Sequence, residues 1–523
     1  MGIVPLCFGF QGGDSGKKSQ RNPKYLQVSL ISPGLLVVRE LLAQIGLQVY
    51  RVLMSETNKT FRAEQDSMGE MHVPSGAYYG AQTQRAVENF RISGRRLSRG
   101  FIAALGMIKH AAAEVNSTLG LIDDEKCEAI RQAAEEVIEG NLDEHFALDI
   151  YQTGSGTSSN MNTNEVIANR ATEILGGEIG SRLIHPNDHV NMGQSSNDVI
   201  PTAIHIAVLQ AIEIDLLPAL RKLHTSLDAK AVEFDQVVKI GRTHLQDATP
   251  LRMGQEFSGY ARQAELSIRR VGDCRDAISE VALGGTAVGT GLNMHPDLAG
   301  NVIEKINERT GLKFREASNH FEAQGAQDSL VEASGALKTV AVSLMKIAND
   351  IRWLGSGPRC GIGELILPAV QPGSSIMPGK VNPVIAESVI QVAAQVIGND
   401  LAVTLGGQWG SFELNTMLPM MASNILESIE ILANGSSNFA KRCVDGLEVD
   451  EVRTASMIEK SMAMVTSLAP VIGYDKAAAI AKEAHASGRT VREVALDQEV
   501  LSVEDLDKLL DAMSMTEPGV PSA

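Results

Sequence analysis

Leu330, Ala333, Leu337, Val340, Leu344, Ile347, Ile351 and Leu354 recur at alternating spacings of three and four residues. A strand changes face every two residues and cannot use this period, whereas a helix lays it down as one apolar seam along one side. The seam predicts a helix about 37 Å long at the usual rise per residue. Such a helix needs long neighbours to cover it. Ile204 to Phe234 and Glu256 to Leu283 read as long helices, the first kinked at Pro218, and Val384 to Thr404 is apolar on nearly all sides. Together these segments predict a helix bundle. Aromatic residues are only 4% of the chain while hydrophobic residues are 44%, so the core must be built from Ala, Leu, Ile, Val and Met, which suits packed helices. A length of 523 residues implies two or three domains or one elongated helical body.

The segment from Val384 to Thr404 carries a thin polar line at Glu387, Gln391 and Gln395, and Asn399-Asp400 interrupts it further. It therefore suits a protein core better than a bilayer. Its near-continuous apolarity predicts burial, completed by association with other chains. A formal charge of −17 argues against nucleic acid or an anionic membrane as partner, so an anionic substrate must be drawn by local charge. The five cysteines are scattered without a C-x-x-C pair, which fits a reducing compartment and offers no metal or disulfide framework.

Just ahead of that helix lies Gly373-Ser374-Ser375-Ile376-Met377-Pro378-Gly379-Lys380-Val381-Asn382-Pro383. Its glycines and prolines predict a loop, with Asn382 as N-cap, Pro383 at the first helical position and a helix from about Val384. Free N–H groups at the helix start, together with Lys380, make a cationic and donor-rich pocket. A nucleotide P-loop is excluded: five residues separate the glycines instead of four, and Val381 follows the lysine. Glu387, about one turn into the helix, is placed to orient a histidine or to balance Lys380.

Three further polar segments each lead toward a helix. Thr153-Gly154-Ser155-Gly156-Thr157-Ser158-Ser159-Asn160 reads as loop throughout, with a helix from Glu165 to Leu175 beyond it. His185-Pro186-Asn187-Asp188 leads through Gln194-Ser195-Ser196-Asn197-Asp198 to a helix with Pro201 in its first turn, and the third segment is Gly241 to Ala248. Ordinary helix capping explains any one of them. With the lysine loop they supply hydroxyls, amides and a fixed cation, which together could clamp a small dicarboxylate. His185 and His189 are spaced like helical metal ligands, but Pro186 argues against a helix there, so no metal is expected. Gly284 to Gly291 lacks the G-x-G-x-x-G spacing and reads as a close-approach loop, so no cofactor is expected.

The chain divides on this reading into residues 1–53, a mainly helical segment 54–195, a long-helix bundle 196–450 and a small helical segment 451–523. In the last, Ser502 is expected to cap a helix with Asp505 three residues on. Residues 1–53 hold six Lys/Arg against Asp14 and Glu40. They are expected to be disordered or to come from an upstream start codon, with Met54 as the true start; an organelle transit peptide is the alternative.

The run from Gly373 to Pro383 resembles the signature of the fumarase/aspartase superfamily, whose members eliminate a group beta to a carboxylate and leave fumarate. From about residue 61 to residue 513 the chain resembles its class II fumarate hydratase branch. Thr243-His244 carries that choice, since aspartate ammonia-lyases usually have glutamine at the histidine; Ser195-Ser196-Asn197 supports it. The resemblance implies an all-α, three-domain fumarase/aspartase-like fold with a central long-helix bundle that forms a tetrameric helical core. It also implies a homotetramer with active sites shared between subunits, fumarate and malate as substrates, and no cofactor. Residue by residue, it implies Ser374 as the base for the C3 proton of malate and His244, backed by Glu387, as the acid that helps water leave. Ser155, Thr157, Ser195, Ser196, Asn197, Thr243, Ser375, Lys380, Val381 and Asn382 would hold substrate, and Arg182, His185, Pro186, Asn187 and Asp188 would form a second anion site. A cytoplasmic location is expected, or the mitochondrial matrix if residues 1–53 are a transit peptide.

Gly193, His189 and Ala369-Val370-Gln371 depart from the family pattern, but none removes a proposed catalytic group. An aspartate ammonia-lyase is the alternative enzyme. A non-catalytic relative would be expected to lack Ser374, His244 or Lys380, and all three are present.

Overall fold

The structure, a computed structural model, describes residues 61–520, so the expectations for residues 1–53 lie outside the described residues. Phe61–Asp66 (β1) and Gly69–Pro74 (β2) pair, and four helices follow: Ala81–Asn89 (α1), Arg99–Thr118 (α2), Asp124–Glu139 (α3) and Thr157–Ile174 (α4). Ser98 starts α2 by accepting from Phe101 N, and Asp123 starts α3 by accepting from Lys126 N, so each helix opens on a satisfied donor. Ile130, Ala133 and Val137 of α3 close on Val166 and Ile167 of α4 in one apolar cluster.

Ser196–Ala211 (α5) and Leu217–Glu233 (α6) form one rod, joined by the π-helical turn Ile212–Leu216. Pro218 has no N–H for the preceding turn, and the widened turn ahead of it absorbs the missing bond. A widened turn thus stands where the sequence predicts a kink. Val238–Thr243 (β3) and Gln246–Arg252 (β4) make an antiparallel hairpin that leads into Met253–Asp273 (α7). The segment from Glu256 to Leu283 is not one helix. It breaks at Cys274, resumes as Arg275–Ser279 and becomes a strand at Glu280–Val281, where the backbone pairs with Arg315–Glu316.

After Leu298–Thr310 (α8) come the three longest bundle helices, Asp328–Leu354 (α9), Val384–Gly407 (α10) and Leu418–Arg442 (α11). All eight seam residues of α9 are buried. α9 packs on α10, α10 on α11, α11 on α6 and α6 on α7, and their apolar faces share a continuous core. Within one chain α10 is covered on one side only, which leaves its other apolar side open. Ala386, Val389, Ala393, Val396 and Val403 are buried, while Leu401 is 60% and Leu405 52% exposed. Its polar interruption is satisfied internally, Asp400 accepting from Ser334 and Lys338, and Asn399 donating to Ser428 and Glu427.

Glu451–Ile458 (α12), Tyr474–Ser487 (α13), Val491–Asp497 (α14) and Val503–Leu509 (α15) gather around a third cluster that includes Ile480, Val494, Leu506 and Ile240 of β3. Ser502 caps α15, accepting from Asp505 N at 3.0 Å. The β3–β4 hairpin is thus packed against the C-terminal helices while its tip stays free.

Candidate active site

Four polar segments surround the ends of these helices. In the first, Gly156 has φ +73°, and a Cβ there would meet Ile200 at 2.8 Å, so glycine is required. This left-handed residue serves as the N-cap of α4, which therefore starts at Thr157, inside the segment read as loop. The helix start turns Thr157 toward Ser196. Ser155 Oγ and Thr157 Oγ1 lie 2.7 Å apart, and Thr157 Oγ1 and Ser196 Oγ 2.8 Å apart.

The second segment closes as a capping box. Ser195 Oγ accepts from Asn197 N at 3.2 Å while the Asp198 carboxylate accepts from Ser195 N at 2.9 Å. Pro201 falls in the second turn of α5, not the first. Asp198 also accepts from Gly284 N at 3.1 Å and Thr286 N at 3.0 Å, and Asn197 Nδ2 donates to Ala287 O at 2.8 Å. The glycine loop is drawn against the start of α5, as a close-approach loop should be. Burial raises the Asp198 carboxyl, opposed by these three N–H groups.

Upstream of the box, Pro186–Val190 forms a single π-helical turn, contrary to the expectation drawn from Pro186. Proline at the first position of a turn gives up only a donor that would have had no partner. His185 Nδ1 accepts from Asp188 N at 3.1 Å and His189 Nδ1 from His185 N at 2.9 Å. Arg182 donates to Gln65 O. Arg182, His185, Pro186 and Asn187 line a cavity of about 160 Å³ whose other wall carries Glu64, Asp66 and Glu165. No group of three His, Cys, Asp or Glu side chains suited to a metal occurs among the described residues.

The third segment is not a loop entering a helix but the tip of the β3–β4 hairpin. Thr243 pairs with Gln246, and the two residues between them, His244 and Leu245, have φ +58° and +59°. That is the geometry of a tight primed turn, which glycine or asparagine normally occupies. The β3 strand is clamped along its length, Arg242 beside the turn donating to Glu364 at 3.0 and 2.8 Å and Lys239 Nζ nearer the base lying 3.2 Å from the same carboxylate. Lys239 also reaches Glu256 at 2.8 Å. Thr243 and His244 are presented at the exposed end.

The fourth segment is closed at its neck. Gly373 N donates to Lys380 O at 2.8 Å and Asn382 Nδ2 donates to Gly373 O at 2.7 Å. A Cβ on Gly373 would stand 2.5 Å from Lys380 O, so no other residue fits. α10 does begin at Val384, but Pro383 occupies the cap position and the Asn382 side chain ties the loop instead of capping. Within the loop, Ser374 Oγ accepts from Ile376 N at 3.2 Å and Met377 N at 3.0 Å. Ser375, Lys380 and Val381 are exposed, and Glu387 is half-buried in the first turn of α10.

One chain thus brings Ser155, Thr157 and Ser196 into a hydrogen-bonded row. It carries Ser374, His244 and Glu387 on separate segments, and among the described residues no hydrogen bond or ion pair joins these three to each other or to the row. Behind the row lies a group that the sequence reading did not single out. Lys109 Nζ, wholly buried in α2, donates to Asn191 Oδ1 at 2.8 Å and Gln194 Oε1 at 2.9 Å. Burial pushes its ammonium down to about 7, against the pull of Asp198. The available signal was one cation inside the apolar run from Phe101 to Ala113.

Residues 69–398 match the family described as Lyase, and residues 464–517 match that described as Fumarase C C-terminus. The chain is 56% identical over 460 residues to a class II fumarate hydratase of Mycobacterium tuberculosis, covering 87% of this chain and 96% of the relative. It is 52% identical over 461 residues to the mitochondrial fumarate hydratase of Saccharomyces cerevisiae, covering 88% and 94%. Among solved structures, a recombinant class II fumarase from Schistosoma mansoni superposes with a TM-score of 0.85 at 39% identity, covering 87% of this chain and 99% of that one.

Proposed function

The chain belongs to the class II fumarate hydratase family, and from that premise we propose how its own residues carry the reaction. It is a hydro-lyase that adds water reversibly across fumarate to give malate, a step of the tricarboxylic acid cycle. In the dehydration direction, Ser374 Oγ as alkoxide takes the C3 proton of malate. The electron pair left on C3 is delocalised into the adjacent carboxylate as an aci-carboxylate, which Lys380, Asn382 and the N–H groups of the loop stabilise. The pair then forms the C2–C3 double bond as the C2–O bond breaks, and His244, backed by Glu387, gives the departing hydroxide its proton. Ser155, Thr157, Ser195, Ser196, Asn197, Thr243, Ser375 and Val381 line the substrate.

The observation that supports Ser374 most directly is its pair of backbone donors. Serine is a poor base unless its alkoxide is stabilised, and two N–H groups aimed at Oγ inside a neck-closed, cationic loop favour that form. Arg182 with His185, Pro186, Asn187 and Asp188 is proposed as a second anion site; the cavity that the first four line gives it room, while the carboxyl groups of Glu64, Asp66 and Glu165 on the same cavity oppose an anion there.

We further propose a homotetramer in which neighbouring chains complete each site. Support comes from the exposed apolar side of α10 and from the fact that, among the described residues, no hydrogen bond or ion pair joins Ser374 or His244 to the hydroxyl row of the same chain. Divisions near residues 195 and 450 are also proposed; the second is supported by a cluster that, apart from Ile240, draws its buried residues from 458–510, whereas α2 crosses the first, its Phe101, Leu105 and Ile108 lying in the central core. A cytoplasmic location is our reading, and cell fractionation tests it against the mitochondrial matrix. For the reaction, malate and aspartate are offered separately to purified protein while fumarate absorbance is followed. Signal from malate alone is expected; signal from aspartate alone would make the enzyme an ammonia-lyase.

A further inference from the structure

Lys109 is a wholly buried cation on a helix that contributes no residue to the proposed chemistry. A methionine of similar length would fill the same space without the cost of taking an ammonium out of water. What the lysine adds is donors. Both of its partners accept through carboxamide oxygens, Asn191 Oδ1 and Gln194 Oε1, and a cation beside them dictates which way each amide faces. The amide nitrogens then point back into the loop: Asn191 Nδ2 donates to Gln194 O at 3.1 Å and Gln194 Nε2 to Val190 O at 3.2 Å. Asn191 Oδ1 also accepts from Asn160 Nδ2 at 3.2 Å.

Those partners sit at telling places. Asn160 is in the first turn of α4, three residues after Thr157, and Gln194 immediately precedes the Ser195 cap of α5. The Lys109 amine is therefore the point where α2, the start of α4 and the approach to α5 converge. Asp198, on the far side of the cap, balances its charge from within the same buried region. Both the charged and the neutral amine can supply the two donors used here.

We propose that Lys109 is a positioning residue for the hydratase, whose buried amine holds the first two polar segments in the register at which Thr157 and Ser196 meet. The inference rests on the reading that these hydroxyls bind the dicarboxylate. Lys109 itself touches no substrate. Its loss should weaken substrate binding more than it slows the chemical step, because the lysine loop and the hairpin tip are left in place.

The test compares Lys109→Met and Gln194→Leu with the wild type well below their melting temperatures. Lys109→Met is expected to raise KM for malate at least tenfold while kcat falls less than threefold, and Gln194→Leu to raise KM about threefold. In the double variant the Gln194→Leu change should add nothing further, since its partner is already gone. A role confined to stability would lower the melting temperature and leave KM unchanged, which would overturn the proposal. If Lys109→Met does not fold, the KM of Gln194→Leu decides. A crystal structure of Lys109→Met gives a reading independent of activity: the Thr157 Oγ1–Ser196 Oγ contact should open beyond hydrogen-bonding distance, and an intact contact refutes the inference. Wild-type protein that made no fumarate from malate would sink the functional reading instead, and the structural result would then judge Lys109 alone.

Discussion

His205 is a buried group that contributes to the acid sensitivity of this fold. It lies on α5 at 8% exposure, with Nδ1 2.7 Å from Glu280 O and Nε2 3.1 Å from Ser329 Oγ. A carbonyl only accepts, so Nδ1 carries the proton and Nε2 accepts from the serine. Burial pushes the imidazole down to about 4. Between that value and about 6.5 the unfolded chain binds the proton and the folded chain does not, so stability falls as pH drops through this window, by on the order of 3 kcal/mol. Urea midpoints at pH 7 and pH 5 should differ less in His205→Gln than in the wild type; an equal drop in both would assign the acid sensitivity elsewhere. The catalytic assignments belong to the same scale. Ser374→Ala and His244→Asn are each expected to cut kcat by about a hundredfold to ten-thousandfold with folding unchanged by circular dichroism, the span that general acid–base groups contribute. Retention of most of kcat by either variant removes that residue from the mechanism.

Among the elements, the β3–β4 hairpin was the least legible in the sequence and α9 the most. The α9 seam repeats the same chemical signal eight times, and each repeat buries its residue. The hairpin has no Asn-Gly or Gly at its turn; it holds His244 and Leu245 at positive φ, at a cost on the order of 1–3 kcal/mol each. What keeps it in place is Glu364, wholly buried between Arg242 and Lys239 and 122 residues from Arg242 in sequence. Glu364→Ala would leave the Arg242 guanidinium without its carboxylate and Lys239 with Glu256 alone, and is expected to cost about 3–5 kcal/mol. Guanidinium unfolding measures this, and a midpoint matching the wild type would mean that the clamp is dispensable. The loop before α10 was read correctly as the start of a helix. Its neck, however, uses the Asn382 amide across the loop, a contact that local capping rules do not anticipate.

For the whole molecule, the exposed side of α10 decides what the chain needs around it. Leu401 and Leu405 lie open on a helix whose opposite side is packed against α9 and α11. Leu401→Glu is expected to break the proposed tetramer. Light scattering should then report a mass below four chains, and malate turnover should fall with it if neighbouring chains complete the sites as proposed. Wild-type protein that is monomeric and fully active at micromolar concentration would refute the shared site.

Local chemistry was enough to determine the helical class, the α9 seam, the helix start after the lysine loop and the cap at Ser502, because each depends on neighbours within a turn or two. The meeting of Thr157 with Ser196, the buried Lys109 among its carboxamides and the clamp of Glu364 on the His244 hairpin were decided by tertiary structure alone. Each joins side chains tens to more than a hundred residues apart, and no periodicity or local propensity encodes which distant groups will face one another once the rods have packed.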